Sequence, residues 1–254
     1  MSEWFVRRFD RCARIVQDRL GPKFSDYVEA KLGSKGTRLV RELLGRSPRF
    51  RAQVSCNTEV CGSGVHAWVI CPDRLTSEAI AYSVGVGDDI SFDLALIDRF
   101  RVRVFAFDPT PASVTWIKAR TLPPEFHFAD YGLADFDGLA DFHNFVGTQF
   151  TICGVASSRW STKLPVRRLS TIMNELGHRK IDLLKMNIEG GEYSAIEDAL
   201  RSGTRIDQVL VQFHHWLPGF TSSQTRRAVD MLNDHGYKIF NISETGRDYS
   251  FIKT

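Results

Sequence analysis

Three short runs of apolar residues at helical spacing open the chain. Phe5, Phe9, Cys12, Val16 and Leu20 recur every three or four positions and end at Gly21-Pro22. Phe24, Tyr27, Val28 and Leu32 end at Gly33, and Leu39, Val40, Leu43 and Leu44 end at Gly45. The spacing predicts three amphipathic helices with glycine stops. It also places a boundary near residue 50, between an N-terminal helical appendage (1–50) and a main domain (51–254).

From residue 65 the pattern changes to short apolar strands that alternate with helices, as in βαβ units of a mostly parallel α/β sheet. Strands are expected at Ala79–Val84, Arg101–Phe107, Phe126–Ala129, Ile181–Asn187 and Gln208–Phe213. Between them, helical stripes run through Phe92, Leu96 and Phe100, then Ser113 to Arg120, then Leu169, Ile172, Met173 and Leu176, then Tyr193, Ile196 and Leu200. A helix with Ala228, Met231 and Leu232 closes at His235-Gly236. The tail differs: Tyr237–Ile242 and Tyr249–Lys253 flank the turn Ser243-Glu244-Thr245-Gly246, so an antiparallel pair is expected at the sheet edge.

Composition narrows the class. With 254 residues, 43% hydrophobic and 25% charged, the chain has the make-up of a globular domain large enough to bury a core without disulfides or a structural metal. Its five cysteines form no CxxC pair, which predicts reduced thiols and no zinc site. No apolar run reaches membrane-span length, so a cytoplasmic protein is expected. The net charge of +3 hides an asymmetry: residues 1–51 hold 13 Lys/Arg against 6 Asp/Glu. Such helical charge most simply solvates an outer face while the helices pack on the main domain or form a homodimer contact. A substrate lid or polyanion contact is the alternative.

Chemistry in an open α/β sheet gathers at the carboxyl ends of the strands. After the first strand of the main sheet comes Ser83-Val84-Gly85-Val86-Gly87-Asp88-Asp89, a turn that lets backbone approach a ligand and opens a helix. The second strand ends in Asp108-Pro109, placing a carboxylate 21 residues after Gly87, close to the ~20 expected of a ribose-binding acid. The pairing points to a nucleoside cofactor. Ile90 stands where a dinucleotide fold wants a small residue, and Asp88 and Asp89 put negative charge where a pyrophosphate would sit, which disfavours NAD. S-adenosylmethionine, a cationic sulfonium without phosphate, suits that turn.

The stretches AYSVGVGDDISFD, FAFDPTP, HFADYGLAD, DLLKMNIEGGEY, QFHHW and GYKIFNIS resemble segments of FkbM-like S-adenosylmethionine-dependent methyltransferases. The resemblance is to the methyltransferase-like branch with a YSxGxGxDxSFD turn, and it spans about residues 64–253. It implies a class I, Rossmann-like sheet of about seven strands with an antiparallel C-terminal strand. It also implies that Ser83, Gly85, Val86, Gly87 and Asp88 face the cofactor and that Asp108 and Pro109 meet the ribose. Asp130, Tyr131, Gly132 and Leu133 would border the adenine. Asn187 stands where the family commonly has aspartate, which removes a carboxylate an ion would need; no metal site is expected.

Methyl transfer to a hydroxyl benefits from a base. His214 and His215 follow the fifth strand, where a neutral imidazole suits the role. Adjacent strand residues point to opposite faces, so at most one reaches the site, and ordinary packing beside Phe213 and Trp216 is the alternative for both. Glu189 either caps the helix after Gly190-Gly191 or touches the acceptor or the methionine amine. Asn187 positions rather than takes protons. Lys185, inside an apolar strand, is expected to bury its stem and send its amine to water. Asp88 and Asp89 also suit helix capping, and Asp135, Asp137, Asp141 and His143 read as a solvated acidic loop.

The expected reaction is methyl transfer to an oxygen of a small molecule, a sugar or secondary metabolite. One alternative is a non-catalytic S-adenosylmethionine-binding regulatory or assembly subunit. The other, a nucleic-acid methyltransferase, is disfavoured: Asn187 is followed by Ile188-Glu189, not by the prolines of amino-methylating enzymes, and the N-terminal arginines lack interleaved aromatics.

Overall fold

The computed structural model describes residues 32–43, 45–146, 149–151 and 161–254. The first two predicted N-terminal helices lie outside these residues, apart from Leu32. The third, α1, is longer than its apolar stripe: among the described residues, 32–43 are helical. The stripe marks only the packed face, whereas the helix continues through Lys35 and through an Arg38–Glu42 pair one turn apart (2.7 Å).

A hairpin of β1 (Glu59–Cys61) and β2 (Trp68–Ile70) precedes the main sheet. Then come β3 (Ile80–Val84), α2 (Ser91–Phe100), β4 (Arg103–Phe107), α3 (Pro111–Lys118) and β5 (Phe126–Ala129). A further group holds β6 (Gly132–Leu133), β7 (Gly138–Val146), β8 (Gln149–Thr151) and β9 (Ser161–Arg167). The chain ends with α4 (Leu169–Leu176), β10 (Ile181–Met186), α5 (Glu192–Arg201), β11 (Ile206–Gln212), α6 (Ser222–Asp234), β12 (Tyr237–Ile242) and β13 (Asp248–Lys253).

The seven-stranded sheet has the order β12-β13-β11-β10-β3-β4-β5. All its strands run parallel except β13, which is antiparallel to both β11 and β12. The predicted terminal pair is therefore present, but its second strand is inserted inside the first, with β12 at the edge. Alternation along the central strands sends side chains to two cores. Leu184 and Met186 of β10 join Val209 and Val211 of β11 beneath α4, α5 and α6. Leu183 and Leu210 point the other way, with Ala81 and Val104, under Phe92, Leu96 and Ile97 of α2 and Trp68 of the hairpin. Truncating one such buried leucine to alanine costs about 2–5 kcal/mol.

The acidic stretch is an exposed bend at Asp135 and Asp137 but not beyond: Asp141 and His143 sit on β7 of a four-stranded sheet, β6-β9-β7-β8. Asp137 accepts bonds from the Arg168 backbone N–H (2.8 Å) and the Thr171 hydroxyl (2.8 Å) at the start of α4. Those bonds, the Arg168 N–H foremost, hold its carboxyl below the usual carboxylate range. Among the described residues, Cys56, Cys61 and Cys71 are free thiols, and no helix is long and apolar enough to cross a membrane.

Candidate active site

The sheet reverses its strand order between β3 and β10, which opens a crevice at their carboxyl ends. A cavity of about 230 Å³ fills it. Its floor is the turn after β3. Gly85 has φ +78°, and a Cβ there would lie 1.8 Å from the carbonyl oxygen of Asn187, so the turn and the end of β10 touch only because the residue is glycine. At Gly87, φ is +64° and the space around an added Cβ is open.

Asp108 closes the cavity from the end of β4. One carboxylate oxygen accepts the Gly87 N–H (3.0 Å), while the other accepts the Thr110 N–H (2.9 Å) and hydroxyl (2.6 Å). The Gly85 N–H in turn donates to the Phe107 carbonyl (3.0 Å). The acid expected from spacing is thus hydrogen-bonded to the turn it was paired with. Asp89 accepts bonds from Ser91 N–H (2.8 Å) and Oγ (2.6 Å), capping α2, whereas Asp88 is exposed on the rim.

Of the residues singled out from the sequence, Gly85, Val86, Gly87, Asp88, Asp108, Pro109, Gly132, Leu133, Asn187 and Glu189 line this cavity. Ser83, Asp130, Tyr131, His214 and His215 do not. Ser83 is buried at the end of β3 and acts on the buried Asp93, whose carboxyl is pushed up to about 6 by burial. Tyr131 packs on Phe107 (ring centroids 5.5 Å) with the Arg167 guanidinium over its ring, and Asp130 is exposed. A residue at the end of so short a strand has several directions open to it, and the pattern of hydrophobicity does not choose among them.

The two histidines follow the end of β11, with His215 in a turn, and meet different partners. His215 is bonded to the Ser47 hydroxyl (3.2 Å) and the Thr225 hydroxyl (3.3 Å), away from the cavity. Burial, with Arg247 nearby, pulls its pKa down to about 4. His214 is fully buried behind the cavity wall, between two carboxylates: Nε2 lies 3.4 Å from Glu189 and Nδ1 3.2 Å from Glu192. Burial opposes its charge, but the bonds to Glu189 and Glu192 outweigh it and push the pKa up to about 9. His214 is therefore an imidazolium at neutral pH. Neither imidazole lines the cavity: His214 stands behind its wall with its charged form favoured, and His215 faces away.

Glu189 holds the exposed end of this chain of charges. Its backbone is left-handed (φ +49°), a conformation non-glycine residues adopt only under constraint. The constraint is visible next door, where Gly190 packs so closely on Phe220 that a Cβ would lie 2.2 Å from the ring. Glu192 anchors the other end, accepting the backbone N–H groups of Gly190 (2.9 Å) and His214 (2.9 Å). The helix after Gly190-Gly191 is thus tied down by Glu192, which leaves the Glu189 carboxylate on the cavity wall. Asn187 has its side-chain oxygen buried there, with no bond from the described residues.

Lys185 departs from expectation. Its amine does not reach water; it donates to the carbonyls of Gly85 (2.7 Å) and Val84 (3.5 Å), with its nitrogen 5.9 Å from the Trp68 ring centre. A lysine in a largely apolar strand was the available signal. Val65, His66 and Trp68 also line the cavity, brought over the turn by the hairpin, and Phe142 closes it from β7. Nothing in their local sequence marks them, because they reach the cavity through tertiary folding. Among the described residues, no group of three or more His, Cys, Asp or Glu is placed to hold a metal ion.

Comparison with known proteins gives matches over most of the chain. Residues 78–239 match the family described as the methyltransferase FkbM domain. The probable methyltransferase-like protein 24 of Rattus norvegicus is 26% identical over 266 residues, covering 94% of this chain and 67% of that protein. Its Homo sapiens counterpart is 28% identical over 178 residues, covering 66% of this chain, and the chain spans less than half of it, 43%.

Proposed function

The chain belongs to the FkbM methyltransferase family, and from that membership we propose that it moves a methyl group from S-adenosylmethionine to an oxygen of a small molecule, a sugar or secondary metabolite. Its strand order is that of the class I, Rossmann-like methyltransferases, and the family's methyl donor is S-adenosylmethionine. The acceptor oxygen is our reading. The observation that carries the placement of the donor is the bond between Asp108 and the Gly87 N–H, which sets a carboxylate and a glycine turn against one cavity.

The residues present fit that donor. The Asp108 oxygen bonded to Gly87 retains a lone pair for a ribose hydroxyl. The open space at Gly87 leaves room for a ligand, and Asp88, Asp89, Asp108 and Glu189 give the wall a negative cast that suits a sulfonium. When bound, S-adenosylmethionine supplies a methyl carbon already activated by positive sulfur. The protein's work is then alignment and proton handling. In this reading Asp108 and the turn orient the donor, while Phe142, Leu133 and Trp68 exclude water. The Glu189 carboxylate takes the acceptor's hydroxyl proton. His214, already protonated, is a positioning residue that fixes Glu189, and Glu192 fixes His214.

The experiment is incubation with methyl-labelled S-adenosylmethionine and a panel of hydroxylated sugars and phenols, with RNA and protein fractions alongside. Label in a small-molecule ether supports the reading. Label in RNA or protein only, or cofactor binding with no transfer to anything, overturns it in favour of a macromolecular acceptor or a binding module.

A further inference from the structure

The cavity wall is strongly acidic, yet the donor proposed for it ends in a zwitterion whose carboxylate must also be placed. Asp88, Asp89, Asp108 and Glu189 repel that group. Among the described residues, two basic side chains line the cavity: His66, exposed at the mouth, and Lys185, 7% exposed at the floor. The Lys185 ammonium has three N–H donors. Two are directed at the Gly85 and Val84 carbonyls, and among the described residues no carboxylate lies within 4.0 Å of the nitrogen. The buried Asp93 carboxylate faces this ammonium through charge but lies beyond hydrogen-bond reach, so on the wall of a ligand cavity the ammonium keeps one donor to spare for an anion. Burial lowers the pKa of this amine, and an arriving carboxylate would restore the preference for its charged form.

Resting on the cofactor reading above, we propose that Lys185 receives the carboxylate of the donor's amino-acid end and is thereby the residue that lets an acidic cavity accept a zwitterion. Its place on β10, two residues before Asn187, puts it on the α2 and hairpin side of the sheet, under Trp68 and the glycine turn. The adenosine end, at Asp108 and Gly132, lies on the β4 side.

The test is calorimetric binding of two cations that differ by that one group, S-adenosylmethionine and its decarboxylated form, to the whole chain and to Lys185→Met. The unmodified protein should prefer the carboxylated ligand about 10- to 100-fold, the range of a charge-assisted hydrogen bond. Lys185→Met should erase the preference while still binding the decarboxylated ligand, which also shows that it folds; Lys185→Arg should keep part of it. Equal binding of the two ligands by the unmodified protein overturns the proposal without any variant, as does an undiminished preference in Lys185→Met. Failure of the unmodified protein to bind either ligand overturns the cofactor reading itself.

Discussion

His214 makes the structure's most quantitative claim. It is buried, and it faces the Glu189 and Glu192 carboxylates and the Trp216 ring. Its pKa is raised from 6.5 to about 9, so between those values the native protein holds up to one proton more than the unfolded chain. The stabilisation is fully present below pH 6.5 and is lost as pH rises through 9. At about 1.4 kcal/mol per unit, the wild-type protein loses about 3 kcal/mol of unfolding free energy across this window. His215 and Asp93 act mainly below it and with opposite signs, the first losing its contribution as pH falls, the second as pH rises. The raised Cys56 and Cys61 thiols act at its alkaline end, equally in wild type and variant. Urea unfolding of wild type and His214→Gln at pH 6.5 and pH 9 isolates the term. The variant should be less stable at pH 6.5 by several kcal/mol, since it leaves Glu192 buried without its cation, and the gap should narrow by about 3 kcal/mol at pH 9. Parallel pH dependences for the two proteins would refute the protonated assignment and, with it, the role of His214 as the cation that orients Glu189.

Gly85→Ala should destabilise by about 2 kcal/mol or more, because left-handed backbone alone costs ~1–2 kcal/mol and the Asn187 carbonyl must also move; a melting temperature within a degree of wild type would contradict the close approach. Asp137→Ala should cost about 1 kcal/mol, the usual worth of a cap, lowering the melting temperature by about 2–4 °C; no shift would return the acidic stretch to a solvated role.

The main sheet was legible because each of its strands is an apolar run bounded by a turn, and the glycine turn and Asp108 were legible because their spacing is fixed by one βαβ unit. What failed has a common cause. In β7 the alternation of Ala140 and Phe142 with Asp141 and His143 is present, but the carboxylates dominate the reading, and its partner β9 is polar and carries Pro165. The insertion of β13 between β11 and β12 is a matter of pairing order, which local pattern does not encode. Alternation along a strand predicts a separation of His214 from His215, but both lie past the end of β11, and local pattern does not say which carboxylates either meets. Lys185 was visible as an anomaly, but its direction depends on the carbonyls of the turn across the sheet.

The central claim is that the crevice between the Gly85–Gly87 turn and Asp108 holds an adenosine joined to a sulfur-bearing amino acid. Titration calorimetry with S-adenosylhomocysteine tests it most directly. Wild type should bind, and Asp108→Ala, folded by circular dichroism, should bind about 100-fold more weakly through loss of charge-assisted bonds. No heat from the wild type at millimolar ligand, or equal affinity in the variant, would contradict it.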